Sequence, residues 1–146
     1  MSGAGDETSV AIVRKLKASP RAVWRALTQP ERLKRWMGPS NEFQVLVAET
    51  EVRVGGGYHI VTKSPDGEEH DVSGVYREVE TYRKLIFTWA WKTTPEGESL
   101  VTMELVAAGD GSELLLKHEG FADKESRDRH EKEWTRRMRR LVRMLA

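Results

Sequence analysis

The chain has 146 residues, no cysteine and nearly balanced charge, with 24 Lys plus Arg against 23 Asp plus Glu. That length fits one domain that buries its core without covalent staples, and the lack of cysteine excludes disulfides, thiolate catalysis and cysteine metal sites. Near-neutral charge gives no general pull toward nucleic acid, and no apolar run approaches the roughly 20 residues that span a bilayer.

Met1 to Ser9 is small and polar, without the basic and apolar regions of a secretory signal. Residues 1–8 are therefore expected to form a disordered tail, residues 9–146 a single domain, and the location to be cytoplasmic. Val10 to Lys17 alternates, with Val10, Ile12 and Leu16 on one face, a strand signal. Arg14 interrupts that face. A buried guanidinium needs a partner, so Arg14 is expected either to pair with Glu104 or Glu51 or to meet an anionic ligand group. Ser19 and Pro20 then read as an N-cap and a first-turn proline. The short helix they start runs to about Leu27 and buries Val23, Trp24 and Leu27. Thr28 and Glu31 have capping-box spacing and open a second short helix with Leu33 and Trp36, stopped by Gly38 and Pro39.

From Phe43 to Gly120 the pattern is strand after strand, about six in all. Glycine- and proline-rich turns at 55–57, 65–67, 95–97 and 109–111 separate them. Leu85, Phe87, Trp89 and Trp91 share one face, as do Val101, Met103 and Leu105, and then Leu114, Leu116 and His118. Short connections imply an antiparallel meander. The tract Gly55 to Gly57 lacks phosphate-loop spacing and is expected to mark a bulge that bends the sheet, with Arg53 fixing the turn. Asp123 caps a long final helix with an apolar stripe of Trp134, Met138, Leu141 and Leu145, and His130 lies one turn before it. Arg136, Arg137, Arg139, Arg140 and Arg143 are assigned to a solvated opposite face. No aromatic residues interleave there, so nucleic acid is not expected as a partner.

The class is thus α+β: a curved antiparallel sheet wrapped around a long C-terminal helix, with two short helices after the first strand. One helix cannot fill the concavity of a wide sheet, so an apolar pocket is expected between them. Its expected walls are Phe87, Trp89, Trp91, Val101, Met103, Leu114 and Leu116 from the sheet, and Trp134 and Met138 from the helix. Trp36, Tyr58, Tyr76 and Phe121 are further candidates. Trp24 reads as core; for the other tryptophans, core packing and pocket lining both stand. His118 and His130 are expected at one end, where an imidazole can bind a ligand, act as a general acid or base, or simply tether strand to helix. A metal would need a third ligand, and Glu119 and Glu131 turn away, so no metal is expected. No cofactor motif is present.

Several stretches carry a resemblance: Ala18 to Trp24; Thr28 to Glu31, leading to Trp36, Gly38 and Pro39; Glu51 to Gly56; Pro65 to Gly67; Gly74 to Val79, leading into Leu85 to Trp91; His118 to Phe121; and the helix with His130 and Trp134. In this order the chain resembles the SRPBCC, or START-like, superfamily with its helix-grip fold. Within it, the chain is similar to the family named after the C-terminal domain of the activator of heat-shock protein 90 ATPase. Two positions depart from the pattern: Glu133, where glycine is usual, and Glu51, where aspartate is frequent. The resemblance implies a binding module for a small apolar or aromatic molecule. It also implies, as alternatives, a partner of a heat-shock chaperone, or a pocket enzyme of cyclase or hydrolase type using His118 or His130. A homodimer is left open.

Overall fold

The computed structural model describes residues 8–92 and 97–146. The expected tail at residues 1–7 and most of the turn around Pro95 lie outside the described residues. The elements are β1 (Ser9–Leu16), α1 (Pro20–Thr28), α2 (Pro30–Leu33), β2 (Gln44–Thr50), β3 (Gly57–Lys63), β4 (Glu69–Glu80), β5 (Lys84–Trp91), β6 (Ser99–Ala108), β7 (Gly111–Glu119) and α3 (Lys124–Met144). They form the expected α+β arrangement. One seven-stranded antiparallel sheet runs in the order β1-β7-β6-β5-β4-β3-β2, and α3 covers one face.

Alternation puts one set of side chains inside. Register aligns that set across the sheet: Val10 faces His118, which faces Val101, which faces Phe87, which faces Tyr76. The next row is Ile12, Leu116, Met103 and Leu85. All nine of these side chains are buried. Arg14 pairs in register with Leu114 and is half-buried. The expected ion pair does not form: Arg14 Nη1 donates to the Val13 carbonyl at 2.9 Å, Glu51 is taken by Arg53 at 3.2 Å, and Glu104 alternates onto the face opposite Met103 and Leu105. That same pairing lets Arg53 hold the turn as expected.

Ser19 caps α1 by accepting from the Ala22 N–H at 3.2 Å, and Pro20 supplies the first turn. The chain turns extended at Gln29, before Pro30, as the residue preceding a proline prefers. The capping box expected at α2 is absent. The Thr28 hydroxyl donates back to the Trp24 carbonyl at 2.7 Å, which leaves Gln29 as N-cap without a side-chain bond.

The glycine tract closes the β2–β3 loop and enters β3 through the expected bulge, with Gly55 and Gly56 both set against Tyr76. Gly55, at φ +88°, donates to the Tyr76 carbonyl, and Gly56 accepts from the Tyr76 N–H, both at 2.9 Å. Further register shifts that bend the sheet lie between Val45 and Val47 and between Tyr76 and Glu78. Beside the second shift the Tyr58 hydroxyl donates to the Thr88 carbonyl, and the Val75 N–H donates to the Thr88 hydroxyl at 2.8 Å. Gly74 sits in this crowded spot.

The long helix corrects a further expectation. Its arginines do not form one solvated face. Arg136, Arg139 and Arg143 are exposed, but Arg140 is half-buried and Arg137 is buried, at 3% exposure. Arg140 Nη1 donates to the Gly38 carbonyl and to the Ser40 carbonyl at 3.0 Å. Its Nη2 reaches the Asn41 side chain at 3.0 Å. Arg137 Nε donates to the Met37 carbonyl at 2.8 Å. These two side chains satisfy the carbonyls of the segment after α2 and fasten it to α3.

A methyl group at Gly74 would press into the Thr88 carbonyl and within 2.6 Å of the Tyr58 ring, whereas one at Gly57 would meet only ordinary contact at 3.5 Å. Gly74→Ala is expected to cost about 3 kcal/mol in urea unfolding, with Gly57→Ala costing well under half of that. Equal costs would show that the close approach at Gly74 is relaxed in solution.

Candidate functional site

The covered face of the sheet carries two aromatic groups. Tyr58, Tyr76 and Phe87 pack together with ring centroids 5.3–5.9 Å apart, Phe87 edge to face with each tyrosine, an arrangement that ring quadrupoles favour. Burial raises the pKa of both tyrosine hydroxyls. Trp89 packs against Trp134 of α3 at 5.2 Å and against Trp91 at 5.5 Å. Between sheet and helix lies a cavity of about 30 Å³, lined among others by Trp36, Tyr58, Tyr76, Phe87, Trp89, Met103 and Trp134. It has room for no more than one or two waters. A second space of about 10 Å³ is bounded by Trp89, Trp91, Phe121 and His130. Leu116, His118 and Met138 are buried but line neither space. Beyond Trp91 an open cleft of about 280 Å³ is lined by Pro39, Phe43, Thr62, His70, Trp91, Arg129, Glu133 and Arg137, with Glu68 and Glu69 at its rim. Trp89 is thus a wall of both inner spaces, and Trp91 is a wall of the second space and of the cleft.

His118 and His130 do come together, with ring centroids 5.3 Å apart. Each accepts an indole N–H: Trp134 Nε1 donates to His118 Nδ1, and Trp91 Nε1 donates to His130 Nε2, both at 2.9 Å. An indole nitrogen only donates, so both imidazoles are fixed as neutral tautomers. His118 then carries its proton on Nε2 and donates to the Ser99 hydroxyl at 2.7 Å, which donates to the Trp89 carbonyl at 3.3 Å. His130 carries its proton on Nδ1 and donates to the Ser126 carbonyl at 2.7 Å. The lone pair that a general base would use is occupied in both rings. Burial, with lesser contributions from His130 and Arg137, pushes the His118 pKa down from 6.5 to about 2.

The side chain with the most consequence for the site is Arg137. Its guanidinium lies 5.1 Å from the Trp134 ring centroid and 5.7 Å from that of Trp89, within cation–π range. Nη2 stands 3.8 Å from Glu133, a contact too long for a hydrogen bond. Among the described residues, Nη1 is buried without a hydrogen-bond partner, and the same holds for Trp89 Nε1. Burial lowers the Arg137 pKa, against a smaller opposing effect of Glu133. The sequence held a signal for this. Position 137 follows Trp134 by three and precedes Leu141 by four, on the spacing of the buried stripe. Its charge is what assigned it to the solvated face.

The neutral His118 has a consequence for stability. Its folded pKa is depressed, so as pH falls below about 6.5 the unfolded chain takes up a proton that the folded chain refuses. Stability attributable to His118 is complete above the unfolded pKa and is lost progressively down toward pH 2. Between about pH 7.5 and about pH 5 the loss is expected to be about 2 kcal/mol. His118→Asn, which keeps an acceptor for Trp134, is expected to flatten the profile measured by urea unfolding. An unchanged pH slope in His118→Asn would show that the loss arises elsewhere.

Comparison with known proteins agrees with this architecture. No curated protein gives a significant match. Protein CV1439 of Chromobacterium violaceum superposes with a TM-score of 0.87 at 24% identity, covering 94% of this chain and 96% of that one. The AHSA1 protein of Silicibacter pomeroyi gives 0.82 at 26% identity, covering 94% and 96%. CalU16 of Micromonospora echinospora gives 0.74 at 23% identity, covering 94% and 76%. These likenesses show the helix-grip fold. Among the described residues, no helix is long and apolar enough to cross a membrane. The family model described as activator of Hsp90 ATPase homolog 1-like protein matches residues 17–146, and the chain belongs to that family.

Proposed function

We propose that this chain is a binding protein for a small apolar or aromatic molecule, admitted through the cleft beside Trp91 and held between the sheet and α3. The observation that carries this reading is the succession of spaces along Trp89 and Trp91, from an open cleft of about 280 Å³ to the enclosed cavity behind it. The cleft is near the lower end of the range that takes drug-sized ligands, and its aromatic walls suit a flat or ring-containing guest. The enclosed cavity alone is too small for such a guest, so occupation requires side chains such as Trp91 to shift. The reading is one of binding rather than turnover, because His118 and His130 both use their ring nitrogens to hold tryptophans and a strand-to-helix corner in place.

Tryptophan fluorescence tests this. Titration with a panel of fatty acids, flavonoid-like polyphenols and naphthalene derivatives is expected to shift or quench the emission saturably for at least one class. Trp91→Ala is expected to weaken that ligand by about tenfold. No saturable change across the panel, together with no small molecule released from freshly purified protein in native mass spectrometry, would reject the reading.

A further inference from the structure

We infer that the ligand is an acid: an apolar or aromatic monocarboxylate whose anionic head is held by Arg137 and by the indole N–H of Trp89. This rests on the binding reading above and narrows it to a substrate class. The carrying observation is a pair of orphaned donors. Among the described residues, Arg137 Nη1 and Trp89 Nε1 are both buried without a hydrogen-bond partner. The guanidinium carbon lies 5.7 Å from the Trp89 ring centroid, with Arg137 on the wall of the cleft and Trp89 on the inner spaces, so a head group that meets both donors reaches from the cleft inward. Neither group can accept a hydrogen bond, so what completes them must be an acceptor. A buried donor left unpaired is costly, which makes the position selective for a group that brings an oxygen.

Charge favours an anion over a neutral acceptor. Arg137 is 3% exposed, and its protein partners are one neutral carbonyl, that of Met37 at 2.8 Å, and Glu133 at 3.8 Å. A guanidinium fork pairs in a bidentate way with carboxylates and phosphates, and the singly charged carboxylate is the less costly of the two to take out of water. Arg137 also stands on the wall of the cleft with Phe43, Pro39 and Trp91, so an acid held there can lay its ring on those three apolar residues of an otherwise mostly polar lining. Glu68 and Glu69, at the same rim, are exposed, and solvent and salt screen them. Arg137 is shielded from that screening.

The test is calorimetric titration of the intact chain with 1-naphthylacetate and with its neutral counterpart 2-(1-naphthyl)ethanol. The acid is expected to bind at least about tenfold more tightly. Arg137→Gln is expected to bring the two affinities together. Trp89→Phe, which keeps a ring and removes only the N–H, is expected to weaken the acid several-fold and leave the alcohol unchanged. Should Arg137→Gln not fold, because the Met37 bond is lost as well, Trp89→Phe decides alone. Equal binding of acid and alcohol by the wild type overturns this inference while leaving the binding reading in place. So does a preference that survives Arg137→Gln, or acid binding untouched by Trp89→Phe. Failure of both compounds to bind overturns this inference, while the binding reading stands or falls with the full ligand panel.

Discussion

A guanidinium taken out of water between two indole rings governs much of this molecule. Arg137 extends from the middle of the long helix, lies against Trp134 and Trp89, and reaches the Met37 carbonyl. One side chain thereby joins three parts of the fold: α3, the centre of the sheet, and the segment that follows α2. Taking a charge out of water is costly unless it is paired and its donors are used. Here the pairing is incomplete among the described residues, since the nearest carboxylate is 3.8 Å away and Nη1 has no acceptor. Cation–π attraction offsets part of that cost. The remainder is a local demand for an anionic oxygen.

The adjoining corner, packed on the same two indoles, is built on the reverse principle, complete satisfaction. Two indole donors meet two imidazole acceptors, and each imidazole passes its own proton on to a hydroxyl or a carbonyl. Each bond fixes the direction of the next, so the corner where β7 gives way to α3 has one tautomeric arrangement. A rigid, neutral corner beside an under-satisfied cation concentrates the chemistry of the pocket at Arg137. The same contrast explains why the two histidines, conspicuous as residue types, act as fasteners.

Much of the fold was legible because it follows from spacing. Strand alternation put Val10, Ile12, Leu85, Met103 and Leu116 on one face, and the stripe of Trp134, Met138 and Leu141 fixed the buried side of α3. Ser19 and Asp123 capped their helices as their types suggest. What escaped depended on partners distant in sequence. Arg137 and Arg140 are buried against carbonyls of residues 37–40, and a backbone carbonyl leaves no mark on residue type. Thr28 had two acceptable roles, and the back-bond to Trp24 won over the capping box. The bulge at the glycine tract was legible from its glycines, whereas the register shift at Arg77 was not, because a bulge at a non-glycine residue has no compositional signature. Spacing also indicated that sheet and helix would meet aromatic to aromatic. It could not indicate how little space would remain, which depends on how the side chains interlock.

The interface between sheet and helix is therefore aromatic, with a guanidinium whose Nη1 has no acceptor among the described residues, on the wall of the cleft that opens beside Trp91. The most direct measurement is a crystal structure of the protein grown with 1-naphthylacetate. The expected result is a carboxylate oxygen within about 3 Å of Arg137 Nη1, with the naphthyl ring against Trp91 and Phe43. A structure in which Nη1 is bonded only to an ordered water, with the acid seated elsewhere on the molecule, would contradict the account.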